Sequence, residues 1–228
     1  MDGEKIEKII KDAWKFVEEK LKTLSHDLEH VKRVYKLSLQ IASHYPEVDL
    51  NVLKLAAILH DIAREEEDRD YTGKIDHAIL GAEIAKEFLK KYDLSEEFIE
   101  KVIHCIRTHR FRSFEKPKTL EAKILFDADK IDALGAIGLV RSILAAGEHN
   151  QNVWLINIDL EKYKNENLTE EGRIKDLRRH SPWLEYELKF RKLPERLYTE
   201  YGRKIAKRRL EFMESFFEEL KKELEGKC

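Results

Sequence analysis

A chain of 228 residues with 42% apolar content is long enough to bury one sizeable core, and its scattered aromatics without low-complexity segments argue for ordinary globular folding over disorder. Charged residues reach 39% yet nearly cancel, to a net charge of -2, which leaves no strong field for nucleic acid or an anionic membrane. No run approaches the roughly 18 uncharged apolar residues of a membrane span, the N-terminus has no apolar leader, and Cys105 and Cys228 form neither a disulfide framework nor a CxxC site, so a cytoplasmic protein is expected.

With only four Pro and nine Gly, long stretches lack any breaker, which predicts an all-α protein. Residues 4–23 are predicted as an amphipathic helix with Ile6, Ile9, Ile10, Trp14 and Val17 on one side. A second helix is expected after Ser25, where His30 shares a face with Val34, Leu37 and Ile41 and is therefore either buried or coordinated. Asp49 caps a third whose stretch Val52 to Leu59 is apolar nearly all round, the mark of a central helix, and it ends in His60-Asp61. A charged loop is expected from Arg64 to Asp76, then a helix from His77 to about Tyr92 and another, capped by Ser95, reaching His109. After a basic loop at 111–118, Leu120 to about Gly147 reads as one mostly apolar helix interrupted by Asp127, Asp129, Lys130 and Asp132. Residues 148–170 read as a polar excursion with Trp154 and Ile156, followed by helices around 170–180 and 195–225.

Carboxylates inside an apolar helix need a cation or several donors to stay ionised. An ion that activates water calls for neutral imidazoles and carboxylates on separate rigid helices with a coordination position left open. His30, the pair His60-Asp61, and Asp129 answer that description, with Asp127 as the alternative carboxylate; a buried ion pair with Lys130 or Arg141 is the bland reading of the aspartates. At 3.6 residues per turn Asp127 and Asp129 point about 160° apart and cannot both face one ion, whereas Asp129 and Asp132 differ by about 60°. The same geometry aligns His109 with Phe98, Val102 and Cys105 and turns His104 toward solvent. His26, His44, His149 and His180 read as caps, surface groups or lid residues.

The segments His26 to Val34, Ala56 to Ile62 and Ala128 to Gly135 resemble the HD superfamily of metal-dependent phosphohydrolases, whose pattern is His, His-Asp, then Asp on successive helices. Gly135-Ala136-Ile137-Gly138 with Arg141, and Thr199 to Met213, are similar to the small stand-alone bacterial and archaeal members. The resemblance implies an HD-domain helical bundle at 1–147 carrying the metal site, with 148–228 as a C-terminal helical extension in the same domain or as a lid. It also selects Asp129 as the ligand and leaves Asp132 to orient the site or bind substrate. His77 and His109 would hold a second ion or a phosphate.

The implied cofactor is one divalent ion, Mn preferred over Mg, Co, Ni, Zn or Fe. The implied chemistry is attack by an activated water on phosphorus, with Asp61 central, Lys130, Arg33 and Arg64 as cations for phosphoryl charge, and Glu65 as general acid or base. By the same resemblance the substrate is a nucleotide or other phosphate ester, with cleavage of a triphosphate to monophosphate and pyrophosphate preferred over 5′-nucleotidase activity. No P-loop or GxGxxG is present, so phosphates would be held by metal and side chains. The alternatives are a di-iron oxygenase of HD type and a nucleotide-sensing protein with an inactive site. Assembly as a homo-oligomer is compatible with all three, and the Lys- and Glu-rich composition suggests a thermophilic source.

Overall fold

The computed structural model describes residues 3–21, 28–111, 115–170 and 172–227, and every regular element in them is helical apart from one isolated antiparallel bridge between Leu168 and Ile174. None of the described helices is long and apolar enough to cross a membrane. By contacts the chain divides into two compact units, Met1–Lys130 with Leu197–Gly202 and Ile131–Arg196 with Arg203–Cys228.

In the first unit, α1 (Gly3–Lys20) turns Ile6, Ile9, Ile10, Ala13 and Val17 inward, and α2 (Leu28–Ala42) buries His30 with Val34, Leu37 and Ile41, as their spacing predicts. Ser25 and His26, like the expected end of α1 at Thr23, lie outside the described residues. The centre is α3 (Leu50–Leu59), opened by the Asp49 carboxylate, which accepts from the backbone N–H of Asn51 and Val52 at 3.0 and 3.3 Å. Seven of its ten residues are buried, against α1, α2 and α6. Each fully buried Leu or Ile contributes about 1.5–3 kcal/mol, so α3 is the axis on which the unit condenses. Its C-terminal end therefore delivers His60 and Asp61 into the interior. Two further helices, α5 (His77–Leu89) and α6 (Glu96–Thr108), pack on each other, capped by Asp76 and Ser95.

The stretch expected as a charged loop contains a helix, α4 (Arg64–Arg69). Glu65, Glu66 and Glu67 occupy its first turn, where the helix dipole favours acids, and Arg64–Asp68 and Arg69–Glu65 pair one turn apart. The single helix expected over 120–147 is two: α7 (Leu120–Asp132) and α8 (Gly135–Glu148). At the break Gly135 has φ +75°, and the Arg209 guanidinium donates to the carbonyls of Ile131 and Leu134 at 2.8 and 3.4 Å, satisfying acceptors that the end of a helix leaves open.

In the second unit the polar excursion contains α9 (Leu160–Asn167), capped by Asp159. Where a helix near 170–180 is expected, the described residues form a 3-10 turn, Leu177–Arg179. The Asn167 side-chain amide bonds both the carbonyl and the N–H of Asp176 at 3.0 Å, which ties Asp176 back to the end of α9 instead of into a helix continuing from it. After α10 (Pro182–Leu188), started by Ser181 with Pro182 in the first turn, α11 (Glu200–Leu224) agrees with the helix expected at 195–225. Within this unit Tyr186 lies against Phe217 with ring centroids 5.1 Å apart.

Candidate metal centre

The end of α3 meets α2 through two imidazoles whose Nε2 atoms are 3.3 Å apart, those of His30 and His60. Asp61 Oδ2 stands 3.5 Å from the first and 3.8 Å from the second, and Asp129 Oδ1, from α7, is 3.4 Å from His30 Nε2. A second group faces the other oxygen of the same carboxylate. His77 opens α5 and His109 follows the last residue of α6; their Nε2 atoms are 3.1 Å apart and lie 3.4 and 3.5 Å from Asp61 Oδ1. Asp61 thus stands between two pairs of imidazoles, one oxygen to each.

The chemistry of these donors fits metal ions. His60 Nδ1 lies 2.9 Å from the Ala57 carbonyl and His109 Nδ1 2.6 Å from that of Ile106. A carbonyl oxygen only accepts, so both Nδ1 atoms carry a proton, the tautomer whose Nε2 lone pair points inward. Burial lowers the His60 pKa to about 4, so that ring is neutral near pH 7; burial likewise lowers that of His77. Lone pairs facing one another beside a carboxylate repel unless a cation lies between them. Two ligand atoms each about 2.1 Å from one ion stand about 3.0–3.4 Å apart, close to the spacings here. His30, His60, Asp61, His77 and His109 are all buried.

The back of each ring is held differently. His60 and His109 use carbonyls of their own helices, whereas His77 Nδ1 bonds the Glu67 carboxylate of α4 at 2.6 Å. Burial would raise the Glu67 pKa, but the His77 hydrogen bond and the guanidiniums of Arg64 and Arg110, at 2.9 and 2.7 Å, hold it below its ordinary value. Arg110 also pairs with Asp76 at 3.0 Å, tying this cluster to the cap of α5. Glu67 escaped the sequence reading because an acidic run offers no periodic signal; its ten-residue distance from His77 acquires meaning only once α4 folds.

Arg64, expected beside the reacting phosphorus, is paired with Glu67 and with Asp68 at 3.1 Å, and Glu65, expected to shuttle protons, is paired with Arg69. Arg33 is half-buried on α2, three residues beyond His30. Lys130 bonds Asp129 and lies over the rings of Phe111 and Phe126, 5.0 and 5.3 Å from their centroids, an aromatic setting the sequence reading did not anticipate. Burial alone would raise the Asp129 pKa, yet the Lys130 ammonium and His30 hold it well below the usual carboxylate range.

The other two aspartates are otherwise engaged. Asp132 is buried with Arg141 3.1 Å from its carboxylate. Asp127 accepts from the backbone N–H of Tyr198 and Thr199 and from the Thr199 hydroxyl at 2.9, 2.7 and 2.6 Å, so it caps the entry to α11. Its neighbour Gly202 has no room for a side chain, since a Cβ there would come within 2.8 Å of Asp127 Oδ2. His104, expected in solvent, is half-buried: its ring lies 3.3 Å from Glu115 and accepts from the Lys118 N–H at 3.0 Å, pinning the loop before α7.

The model of the HD domain matches residues 27–134. Over 205 residues the chain is 26% identical to YpgQ of Bacillus subtilis, covering 88% of this chain and 85% of that one. It resembles the crystal structure of an HD-superfamily hydrolase from Bacillus thuringiensis at 25% identity, with a TM-score of 0.69 and 97% of each chain covered. The fold is also that of B. subtilis YpgQ crystallised with ADP, at 23% identity, a TM-score of 0.70 and 96% of each chain. Residues 27–134 thus match the HD domain, and that stretch holds His30, His60, Asp61, His77, His109 and Asp129.

Proposed function

We propose that this protein is a metal-dependent phosphohydrolase acting on nucleotides, with Asp61 among the residues that would hold each of two divalent ions. The observation that carries the reading is the position of the Asp61 oxygens, one toward the His30–His60 pair and the other toward His77–His109. Bound there, divalent ions supply Lewis acidity toward a phosphoryl oxygen and lower the pKa of a water to near neutrality. His30, His60, Asp61 and Asp129 would hold the first ion and Asp61, His77 and His109 the second. Mn is preferred for both.

The protein's own contribution is orientation. Backbone carbonyls fix the tautomers of His60 and His109, and Glu67 orients His77, so ligands do not have to reorganise when an ion arrives. Lys130, held beside Asp129 over two rings, is the cation for phosphoryl charge; Arg33 lies on the same helix as His30 and can join it. Arg64 and Glu65 are engaged in ion pairs of α4 and take the lesser part in this reading. The ADP bound by YpgQ supports a nucleotide as substrate, and cleavage of a triphosphate to monophosphate and pyrophosphate remains the preferred reaction.

Incubation of purified protein with Mn²⁺ and a panel of nucleoside mono-, di- and triphosphates tests this. Pyrophosphate release from triphosphates is expected. Phosphate release from monophosphates alone would move the assignment to a nucleotidase, and inertness across the panel would overturn it. The paired imidazole groups also suit a di-iron oxygenase, which two irons per chain with an optical absorption band would favour.

A further inference from the structure

The two halves of the centre are built differently at their outer edge, and the difference assigns a function to Glu67. In the half formed by His30 and His60, the back of His60 rests on a carbonyl of its own helix. In the other half, His109 is held likewise by Ile106, but His77 is the first residue of α5, where no preceding helical turn supplies a carbonyl for its Nδ1. Its partner comes instead from a different element, the carboxylate of Glu67 on the six-residue α4, at 2.6 Å. Glu67 is itself held from two sides: Arg64 Nη1 donates to Oε2 at 2.9 Å and Arg110 Nη1 to Oε1 at 2.7 Å, while Arg110 reaches on to Asp76, the cap of α5. Of these three rings, His77 alone is held by a charged side chain.

We infer that Glu67 is a positioning residue for the second ion, fixing the His77 ring with Nε2 toward Asp61 Oδ1, so that occupancy of the His77–His109 half depends on α4 while the His30–His60 half does not. A carboxylate behind an imidazole selects the tautomer and makes the inward nitrogen a stronger donor. Removing its charge while keeping its shape would weaken one ion and spare the other. His60 is held by the Ala57 carbonyl of α3 and faces His30 of α2, so its orientation is set apart from Glu67 and a selective effect is the expected one. The inference rests on the two-ion reading above, and its test separates the two.

Metal-free protein is titrated with Mn²⁺ by calorimetry, with bound metal counted after gel filtration, for wild type, Glu67→Gln, Glu67→Asp and His77→Ala. Wild type is expected to take two ions per chain. Glu67→Gln should keep the tighter ion with unchanged affinity and weaken the other about 10–100-fold, Glu67→Asp should recover part of that loss, and His77→Ala should abolish the second ion. Equal weakening of both ions, or none, in Glu67→Gln would overturn the role given to Glu67 while leaving two ions in wild type. A single ion in wild type would overturn the two-ion reading and this inference with it. Should Glu67→Gln fail to fold, Glu67→Asp decides alone: an unchanged second affinity there overturns the inference.

Discussion

Two sets of buried histidines show what makes a metal ligand different from a satisfied core residue. In the second unit His180 is buried, and its partners are complete: the Asn167 amide donates to the Tyr163 hydroxyl at 3.0 Å, that hydroxyl donates to His180 Nδ1 at 2.7 Å, and Nε2 faces the Glu185 carboxylate at 3.2 Å. Every lone pair there meets a proton. In the first unit His60 is equally buried, but its inward Nε2 meets the His30 ring and the Asp61 carboxylate, and its only proton is spent on the Ala57 carbonyl. Burial and residue type are the same in both places. The supply of protons differs, and the donor set of the first unit is one that suits a cation.

Four experiments press on this contrast. The largest effect is expected from Asp61→Ala, which removes the carboxylate shared by both groups: bound metal should vanish and hydrolysis fall by more than about 100-fold, while His180→Phe leaves metal content at the wild-type level. Retention of two ions by Asp61→Ala would break the comparison at its root. Next, chelation should lower the melting temperature, since an ion held at a hundred times its Kd contributes about 2.7 kcal/mol, and Mn²⁺ should restore it. In His180→Phe, by contrast, the Tyr163 hydroxyl and Glu185 lose a partner at a cost of about 1–3 kcal/mol that metal does not restore.

Acid should separate the units in metal-free protein. The His60 pKa is depressed to about 4 by burial, so the unfolded chain binds the extra proton first; stability present above about 6.5 is lost as pH falls toward 4. Burial opposes ionisation of Glu185, but His180 and Lys189 bring its pKa down to about 2, so stability present above its ordinary value of 4.5 is lost only as pH falls toward 2. Fluorescence and circular dichroism against pH should therefore show an earlier loss that His60→Leu removes, and a later one that Glu185→Gln removes. The smallest effect falls on Asp127→Asn. It weakens the cap on α11 by about 0.5–2 kcal/mol and leaves metal binding intact, whereas Asp129→Asn should weaken the first ion.

Much of the centre was legible in the linear chain. His30 shares a spacing with Val34, Leu37 and Ile41, and His60-Asp61 ends a helix apolar on all sides, so both had to point inward. His109 aligned with Phe98, Val102 and Cys105 for the same reason. Helical phase also separated Asp127 from Asp129, but it offered two directions without saying which one held an ion; the backbone amides of Tyr198 and Thr199, some seventy residues away, take Asp127. His104 was misread because phase told of its own helix and nothing of the loop that covers it.

What the amino-acid sequence determined by itself is the set of strong helices and the inward direction of His30, His60 and His109, because an apolar period of 3.6 residues is a local property that burial then enforces. Only the tertiary structure decided the break between α7 and α8, where Arg209 reaches back to open carbonyls, and the gathering of His77, Glu67 and Arg110 behind the second oxygen of Asp61. Those contacts join residues ten to about eighty positions apart. Such pairings follow from how helices pack, which leaves no period in the chain to read.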